Sequence, residues 1–471
     1  MTTTEIIAPT YDRAALRPRI LHLGFGGFAR AHPMVFLNEG LAARGGDWGA
    51  VVARLHSGAE GLRALREADH LYHVAEADGD RIAIRRIGAV IGTLHPLNDG
   101  TDAIPDLMAT EALALVTTTV TEKGYCAVNG RLDRDHPGVI GDLASPTRPG
   151  TAIGVLVEGL ARRRAARLGG LTILSCDNLP ENGALTRRVV LDFARACDAD
   201  LAEWIEGQVR FPNSMVDRIV PAMGEEGHRI LRDALGRDDP NGILCEPFRQ
   251  WVIEDDFAAG RPPFAEGGAQ IVADVLPFEE MKLRMLNGAH TALACLGQLL
   301  GHDTVADCMG DAALRRAIRH LMMHEQAPTL NMPDGVDLAA YAEALLRRFA
   351  NPRLRHRLAQ IATDTSQKIP QRLLAPAEVH LRRGTPWDMT ALAIAGWIAL
   401  LRRSDEIADP RADELRAASR ADDPVSAILA LGGIVPDSLR ARPDFVTEIH
   451  AAHDLIQTRG VARIIATRAP S

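Results

Sequence analysis

The sequence predicts an α/β protein, in which an N-terminal Rossmann-type doubly wound sheet is followed by an all-helical C-terminal domain. A short apolar strand near the N-terminus runs directly into a glycine-rich turn. Continuous runs of Val, Ile and Thr, which suit a parallel sheet covered on both faces, recur through the first half. Helical periodicity replaces them in the second half. We therefore expect a dinucleotide-binding domain over residues 1–280 and a helical substrate domain over residues 281–471, with the active site between the two.

Composition and charge exclude several classes of function. The chain has 471 residues, 46% of them hydrophobic and 24% charged, which suits a globular protein of two or three domains. A formal net charge of -8 argues against a nucleic-acid partner. The six cysteines form no C-x-x-C pair, so neither a metal site nor a disulfide framework is expected. Because no secretory signal or long apolar stretch is visible, we expect a cytoplasmic protein with no membrane partner.

The first predicted strand, residues 19–23, leads into the turn G-F-G-G-F-A. Gly24, Gly26 and Ala29 take the three small positions of a dinucleotide fingerprint. The first permits a tight turn, the second lets backbone N–H groups approach a pyrophosphate, and the third lets the next helix pack on the strand. We expect that helix over residues 30–41. Other glycine turns after strands bind no nucleotide, but this one opens the first βαβ unit of the chain.

The end of the second predicted strand, residues 50–53, bears on the choice of cofactor. Folds that bind NAD usually place an acid there to hold the ribose hydroxyls. Here Arg54 occupies the position, and the nearest acid downstream is Glu60. An arginine can accept a 2′-phosphate, so the choice between NAD and NADP stays open. The alternative for Arg54 is a surface charge without a cofactor contact.

Two further buried strands are predicted, over residues 112–121 and 171–174, and the second leads into S-C-D-N-L-P-E-N-G. Side chains at the carboxyl end of such a strand face the crevice where ligands bind. Asn178 is therefore an amide that can face a substrate. Alternatively it caps the next helix through an Asx turn, although Asn182 and Gly183 already supply good turn chemistry there.

The stretch M-K-L-R-M-L-N-G-A-H, residues 281–290, sets three polar side chains among apolar ones. On an α-helix at about 100° per residue, Lys282, His290 and Asn287 fall at roughly 0°, 80° and 140°, so one face carries all three. Burial can lower the pKa of a lysine until it serves as a general acid or base, and an amide can donate to an oxyanion. The alternative is an amphipathic helix whose lysine reaches out to solvent.

Two other segments set charges among apolar residues. In M-V-D-R-I-V-P, Asp217 and Arg218 either serve a site or simply pair with each other. The stretch T-S-Q-K-I-P-Q-R is predicted to be a polar loop, from which Lys368 and Arg372 can anchor an anionic substrate, the arginine by a bidentate fork. The alternative for these two is a pair of exposed cations at helix ends.

Six motifs together resemble those of the mannitol dehydrogenase family, the polyol-specific long-chain dehydrogenases. They are H-L-G-x-G-x-F, T-V-T-E-K-G-Y, S-C-D-N-L-P-x-N-G, V-D-R-I-V-P, E-P-F-x-Q-W-V-I-E-D and K-L-R-M-L-N-G-x-H, spread over essentially the whole chain. Within that family the chain is most similar to the fructuronate reductases, or mannonate oxidoreductases, through E-P-F-R-Q-W-V-I-E-D, H-E-Q-A-P-T-L and S-Q-K-I-P-Q-R-L-L.

The resemblance implies a metal-independent secondary-alcohol dehydrogenase that uses NAD, with NADP not excluded. It makes Lys282 the general acid/base, and Asn178 and Asn287 the pair that stabilises the oxyanion. It implies that His290 positions the reacting oxygen and that Glu279 lies on the proton path to solvent. The residues expected at the substrate are Asp217, Lys368, Arg372 and Gln360. The residues expected at the cofactor are Gly24, Phe25, Gly26, Gly27, Phe28, Arg54, Glu60 and Val216.

The implied reaction is the interconversion of D-fructuronate and D-mannonate, by a monomer or a small homo-oligomer. Gln360 stands where neutral-polyol members carry an arginine, and we expect Arg372 to contact the substrate carboxylate instead. Ala29, Pro33 and Thr365 depart from the residues usual in the family. One alternative is the same chemistry on a neutral polyol (mannitol or arabinitol) or on tagaturonate, and another is a non-catalytic nucleotide-binding sensor.

Overall fold

The chain divides into two compact units, Met1–Val275 and Leu276–Ser471. The structure, a computed structural model, describes residues 6–79, 81–353, 356–404 and 406–468. The boundary expected from the sequence, after residue 280, falls inside the helix Leu276–Met281, which already belongs to the second unit.

Five parallel strands form the central sheet of the first unit. In spatial order they are Val90–Leu94, Trp48–Ala53, Arg17–Leu23, Leu115–Thr118 and Thr172–Ser175. The chain thus builds outward from the strand Arg17–Leu23 to one edge and then returns to add two strands on the other side. This is the doubly wound order, whose switch point lies between the first and the fourth strand, where ligands bind at the carboxyl ends. The predicted fold class is confirmed.

Successive side chains of these strands enter two different cores. Ile20 and Leu174 pack in the core on one face of the sheet, while Leu21 and Ile173 pack in the core on the other. Because both faces are covered, polar alternation is absent, and all six residues of Trp48–Ala53 are buried. The apolar runs of the sequence therefore follow from burial on both sides.

The helix after the glycine turn is interrupted, contrary to the prediction of one helix over residues 30–41. A first helix, Gly27–Ala31, ends at His32, and a second, Pro33–Arg44, follows directly. Pro33 has no N–H to donate, and it disfavours helical backbone in the residue before it. His32 accordingly leaves the helical region, with φ -121° and ψ -84°.

The strand predicted over residues 112–121 is also shorter than expected. Only Leu115–Thr118 is extended. The N–H groups of Val120 and Thr121 turn away from the sheet and bond to the carboxylate of Asp177. The apolar run continues past the strand because it lines a turn at the carboxyl edge of the sheet.

Three smaller sheets complete the described strands of the first unit. One contains Ile6–Ile7, Arg81–Ile87, Tyr72–Asp78 and Ile243–Cys245, another contains Ser214–Asp217, Gln250–Glu254 and Gln270–Val272, and Ala127–Val128 pairs with Arg131–Leu132. The remaining helices of this unit are Arg13–Ala15 (3-10), Ala59–Glu67, Pro96–Asp99, Ala103–Met108, Thr121–Gly124, Pro137–Ala144, Ala152–Ala165, Asn182–Cys197, Ala199–Gln208 and Glu225–Leu235.

The second unit is helical throughout its described part. Its longest buried helix, Asp388–Arg403, is apolar on nearly every side, because it packs against both Ala289–Leu299 and Pro443–Arg459. The other α-helices are Leu276–Met281, Val305–Gly310, Ala312–His320, Leu338–Phe349, Leu358–Ile361, Thr365–Ile369, Ala375–Arg383, Ala412–Ser419, Pro424–Leu429, Asp437–Arg440 and Val461–Arg468. Three segments are π-helical, namely Lys282–Gly288, Leu321–Gln326 and Pro370–Leu374, and Ala327–Thr329 is a 3-10 turn.

Two absences hold for the described residues of both units. No helix among them combines the length and the apolar character needed to span a bilayer. No group of three or more histidine, cysteine and acidic side chains among them is arranged to hold a metal ion.

Candidate active site

The glycine turn follows the first strand of the central sheet at its carboxyl end. Gly24 has φ +95°, and a Cβ added to it would lie 2.1 Å from the carbonyl oxygen of Thr119, so only glycine fits. Beside Gly26 the nearest atom to an added Cβ is 3.8 Å away, so its backbone borders open space. Ala29 is fully buried in the core under the sheet. These positions meet the requirements of a pyrophosphate-binding turn.

A cavity of about 490 Å³ opens in front of this turn. Arg54, at the end of the second strand, is half-buried on its wall and donates from Nη2 to Ser57 Oγ at 3.0 Å. The turn after the fourth strand, residues 119–121, forms another part of the wall. The complete lining is Gly24, Gly26, Arg54, Leu55, His56, Ser57, Thr119, Val120, Thr121, Lys123, Gly124, Cys126, His136, Thr151 and Ala152.

The other residues expected at the cofactor lie outside this lining. Phe25 and Val216 are buried in the hydrophobic core. Gly27 and Phe28 form the first turn of the helix that follows. Glu60 is exposed in the first turn of the next helix along the chain. Of the two groups considered for the ribose, the structure therefore brings Arg54 to the cavity and leaves Glu60 outside.

His22 and Thr119 hold the glycine turn from behind, and neither was predicted from the sequence. Thr119 Oγ1 donates to the carbonyl oxygen of Gly24 at 2.6 Å, so it accepts from His22 Nε2 at 3.0 Å. His22 Nδ1 then accepts from Thr117 Oγ1 at 2.7 Å, which assigns the tautomer. Burial lowers the pKa of His22 to about 3, so the ring stays neutral. The available signal was a polar histidine within an otherwise apolar strand.

Asn178 lies exposed on the loop after the last strand of the sheet. The following helix, Asn182–Cys197, has Glu181 rather than Asn178 at its N-cap position. The buried Asn182 anchors the loop instead, because its Nδ2 donates to the carbonyl oxygens of Asp177 at 3.0 Å and Ser214 at 2.8 Å. Asn178 thus lies on the loop at the carboxyl edge of the sheet, and its role at the substrate stays a prediction.

Arg218 is fully buried and pairs with Glu76 on a different sheet. It also donates to the carbonyl oxygens of Ala31 and Glu246. These partners account for the guanidinium, so a pair with Asp217 is not needed to explain why an arginine lies in M-V-D-R-I-V-P. Asp217 itself is buried at the end of its strand.

In the second unit, Lys282 opens the π-helical segment Lys282–Gly288, which lies within an unbroken helical stretch over residues 276–299. The backbone hydrogen bonds of a π-helical segment span five residues, so its turn is wider than an α-helical turn. Asn287 therefore lies closer to the side of Lys282 than the 140° expected for an α-helix. The predicted α-helical geometry is wrong here. Lys282 and Glu279 are buried, and Asn287 is half-buried.

The two other π-helical segments, Leu321–Gln326 and Pro370–Leu374, pack against the first. Gly288 allows a close approach, since an added Cβ would lie 3.0 Å from the carbonyl oxygen of Arg372. The three segments coincide with K-L-R-M-L-N-G, H-E-Q and P-Q-R-L-L, which carry the sequence resemblance. π-Helical turns are rare and occur frequently at functional sites, so this cluster is the candidate substrate region.

The stretch predicted to be a polar loop is helical. Thr365–Ile369 is α-helical and continues into the π-helical segment that starts at Pro370. Pro370 has no N–H to donate, so a carbonyl oxygen of the preceding turn lacks its helical partner and the regular α-helical pattern ends there. The prediction failed because the polar residues and the proline indicated a loop, whereas packing against the π-helical segment Lys282–Gly288 keeps the stretch helical.

Lys368 and Arg372 are half-buried, so the alternative of two exposed cations is wrong. Lys368 Nζ donates to the carbonyl oxygens of Ile361 and Thr363. Arg372 Nη1 donates to Thr291 Oγ1 at 3.1 Å. Burial lowers the pKa of Arg372 to about 10, and burial together with the charge of Arg372 lowers the pKa of Lys368.

His290 is buried between Phe349 and His356. The ring centroids are 4.6 Å apart for the pair with Phe349 and 5.2 Å apart for the pair with His356. Burial, and then the neighbouring His356, Arg348 and Arg372, lower the pKa of His290 well below 6.5. The imidazole is therefore neutral at pH 7 and can both donate and accept one hydrogen bond.

Family models match both parts of the chain, the mannitol dehydrogenase Rossmann domain over residues 18–266 and the mannitol dehydrogenase C-terminal domain over residues 274–457. The chain belongs to the mannitol dehydrogenase family. It is 46% identical to the D-mannonate oxidoreductase of Escherichia coli (strain K12) over 474 residues, which cover 98% of each chain.

Two solved structures of the family are similar to the whole chain. Substrate-free D-sorbitol dehydrogenase has a TM-score of 0.92 at 31% identity, and the match covers 99% of this chain and 100% of that one. Mannitol 2-dehydrogenase of Pseudomonas fluorescens, solved with NAD and D-mannitol, has a TM-score of 0.80 at 34% identity, with 98% and 96% covered. Its NAD is the cofactor that the sequence predicts here.

These matches confirm the predicted family, the Rossmann fold with a helical C-terminal domain, and an oxidoreductase as the class of protein. In this member of the mannitol dehydrogenase family, Asn178 and Asp217 belong to the first unit, and Lys282 and His290 belong to the second. Gln360 is exposed on the short helix that precedes Lys368 in the chain.

Proposed function

We propose that this protein interconverts D-fructuronate and D-mannonate, with NAD(H) as cofactor and Lys282 as general acid/base. Membership of a family of oxidoreductases supports the class of reaction. Identity of 46% to a D-mannonate oxidoreductase over nearly the whole chain supports the substrate. The observation that carries an anionic substrate is a pair of half-buried cations. Arg372 lies near His290, and Lys368 lies near His356, which contacts His290.

Lys368 and Arg372 are charged groups that have lost part of their hydration. Among the residues that the structure describes, neither forms an ion pair, and their hydrogen bonds go to carbonyl and hydroxyl oxygens. Two like charges in a partly buried region, where the charge of Arg372 lowers the pKa of Lys368, favour an anionic ligand. A carboxylate suits Arg372 well, since the guanidinium can hold both of its oxygens. Asp364 and Asp409 offset part of the charge of Lys368, so a neutral polyol would leave Arg372 in particular without a counter-charge.

The cavity in front of the glycine turn fits a dinucleotide. The open space beside Gly26 is what close approach of a pyrophosphate requires, and Gly24 makes the turn that exposes it. Bound NADH would supply the hydride for the substrate carbonyl carbon. Arg54 faces the same cavity, and a 2′-phosphate would find a cation there, so NADPH belongs in the test of cofactor choice.

Residues of the chain itself would transfer the proton and stabilise the negative charge that develops on the substrate oxygen. In the direction of reduction, Lys282 gives its proton to the carbonyl oxygen, and in oxidation it takes that proton back. The amides of Asn287 and Asn178 donate to the oxygen while it carries negative charge, as the family resemblance implies. Neutral His290 orients the same oxygen by a hydrogen bond. Glu279, buried three residues before Lys282, passes the proton between the lysine and solvent.

The test is the rate of NADH oxidation with D-fructuronate, measured beside D-tagaturonate, D-fructose and a reaction with NADPH. Rapid oxidation that is selective for D-fructuronate is the expected result. Selective turnover of D-tagaturonate would keep the chemistry and reject the sugar acid. Faster turnover with NADPH than with NADH would reject NAD as the preferred cofactor and assign Arg54 to the 2′-phosphate.

A neutral polyol is the second candidate, because the solved relatives include a mannitol 2-dehydrogenase and a D-sorbitol dehydrogenase. Turnover of D-fructose at a higher kcat/KM than D-fructuronate would establish it and would deprive Arg372 of its proposed partner. A nucleotide-binding sensor would bind NADH but would oxidise it with none of the three substrates.

A further inference from the structure

The backbone of Thr121 is strained at the wall of the dinucleotide cavity. Its φ is +64°, in the left-handed region that favours glycine and that β-branched residues rarely adopt. Strain of this kind persists only where surrounding groups enforce it, and it concentrates at functional sites. The question is therefore which group holds Thr121 in place.

The carboxylate of Asp177 enforces this conformation. Its Oδ1 accepts from the Thr121 N–H at 2.9 Å, and its Oδ2 accepts from the Val120 N–H at 3.1 Å. The hydroxyl of Tyr125 donates to Oδ2 at 2.7 Å. Asp177 is itself 8% exposed, so these bonds are shielded from solvent. One buried side chain thus satisfies two successive backbone donors of the cavity wall.

Tyr125 fastens Asp177 to two neighbouring strands of the sheet. Because its hydroxyl donates to Asp177, it accepts from Ser175 Oγ at 2.6 Å and from Thr118 Oγ1 at 3.2 Å. Ser175 and Thr118 are paired residues at the ends of adjacent parallel strands. Burial raises the pKa of Tyr125 well above 10, so the hydroxyl remains a donor. The carboxylate is therefore held against the rigid edge of the sheet.

The backbone of Asp177 is fixed as well. Its carbonyl oxygen accepts from Asn182 Nδ2 at 3.0 Å and from the Leu179 N–H at 2.9 Å. Asn178 is the next residue in the chain. The exposed amide that we assign to oxyanion stabilisation thus belongs to the residue directly after Asp177, whose side chain and carbonyl oxygen are both held by hydrogen bonds.

We propose that Asp177 is a positioning residue that shapes the cofactor wall through Val120 and Thr121 and at the same time fixes the base of the loop that presents Asn178. This inference deepens the proposed function and rests on it for NADH as the ligand and for the role of Asn178. Loss of the carboxylate should release the Thr121 turn and loosen the loop, which weakens NADH binding and slows turnover together.

The test compares Asp177→Asn and Tyr125→Phe with the wild type. The Kd for NADH is measured by its fluorescence without any sugar acid, and kcat is measured with D-fructuronate. Losing a hydrogen bond to the charged acceptor should raise Kd by about tenfold in Asp177→Asn. The looser loop should lower kcat by on the order of tenfold or more. Tyr125→Phe keeps the carboxylate and should raise Kd by about threefold.

Thr121→Gly provides the readout that a merely structural role would not move. Glycine adopts a positive φ without strain, so Asp177→Asn in a Thr121→Gly background should change Kd by less than about threefold, against about tenfold in the natural background. Asp198→Ala is the matched control. Asp198 also accepts from two backbone N–H groups in the same unit, at the start of the helix Ala199–Gln208, and it lies outside the cavity lining. It should lower thermal stability and leave Kd unchanged.

Two results would overturn the inference. One is a Kd for NADH within twofold of the wild type in Asp177→Asn, or in Tyr125→Phe if the first variant does not fold. The other is an equal loss of affinity with and without the Thr121→Gly substitution, which would mean that Asp177 does not act through this turn. A wild type that binds NADH but does not reduce D-fructuronate would reject the proposed substrate alone, since the affinity comparison needs no sugar acid.

Discussion

Replacing Arg372 by glutamine isolates the charge that we assign to the substrate carboxylate. Arg372 is half-buried, donates to Thr291 Oγ1 at 3.1 Å, and has a pKa lowered to about 10 by burial, so it is a full cation at pH 7. A hydrogen bond between charged groups contributes about 1.5–3 kcal/mol. Its loss should raise the KM for D-fructuronate by roughly 10- to 150-fold.

The assay is the initial rate of NADH oxidation at pH 7, with D-fructuronate and D-fructose as paired substrates. In Arg372→Gln, the ratio of kcat/KM for D-fructuronate to kcat/KM for D-fructose should fall by the same factor as the KM rises, because only the first substrate has a carboxylate. The Kd for NADH should not change. Arg383→Gln is the control, since Arg383 is an exposed arginine of the same unit that donates to the carbonyl oxygen of Pro328. An unchanged KM, or equal losses with both substrates, would refute the assignment.

Three further variants test other parts of the reasoning. Lys282→Met should lower kcat by roughly 10²- to 10⁴-fold, the range for a lost general acid, while the Kd for NADH stays the same; wild-type turnover would exclude Lys282 as the acid/base. Gly24→Ala should lower Tm by about 5–10 °C, because the added Cβ collides with the Thr119 carbonyl at positive φ. Gly26→Ala should leave Tm unchanged and weaken NADH binding by about tenfold or more. Equal effects of the two substitutions would contradict this account of the turn. Burial raises the pKa of Glu325 to about 7 from an ordinary value of 4.5. The contribution of this group to the free energy of unfolding is therefore fully present below pH 4.5 and falls by up to about 3 kcal/mol as the pH rises through 7. Tm should therefore fall more steeply between pH 5 and 8 in the wild type than in Glu325→Gln, and parallel profiles would show that Glu325 does not carry the effect.

Local chemistry made the cofactor turn predictable. Gly24 and Gly26 differ from other residues in the backbone they allow, and that property belongs to the residue and its immediate neighbours. The strands of the central sheet were predictable because a strand covered on both faces must be apolar throughout. Pro33 is a further example of a local effect. The helix breaks at His32 because a proline disfavours helical backbone in the residue before it, a rule that the helix prediction did not apply.

The groups that hold the turn could not be predicted in this way. His22 and Thr119 are 97 residues apart, and Tyr125 and Asp177 are 52 residues apart. Their hydrogen bonds exist only because parallel strands bring distant segments to one edge of the sheet. A buried histidine or aspartate is visible in the sequence, but its partner, its tautomer and the strained backbone it supports are properties of the folded arrangement.

The sequence by itself determined the fold class, the glycine turn and which residue types are available for chemistry. Only the tertiary structure decided the geometry of the helical substrate region. The apolar spacing around Lys282 and Asn287 is compatible with an α-helix, and the polar stretch around Lys368 indicated a loop. Packing among three segments distant in sequence makes each of them π-helical instead. A helix widens in this way because its neighbours stabilise the extra residue in the turn, and that free energy comes from contacts that no local pattern contains.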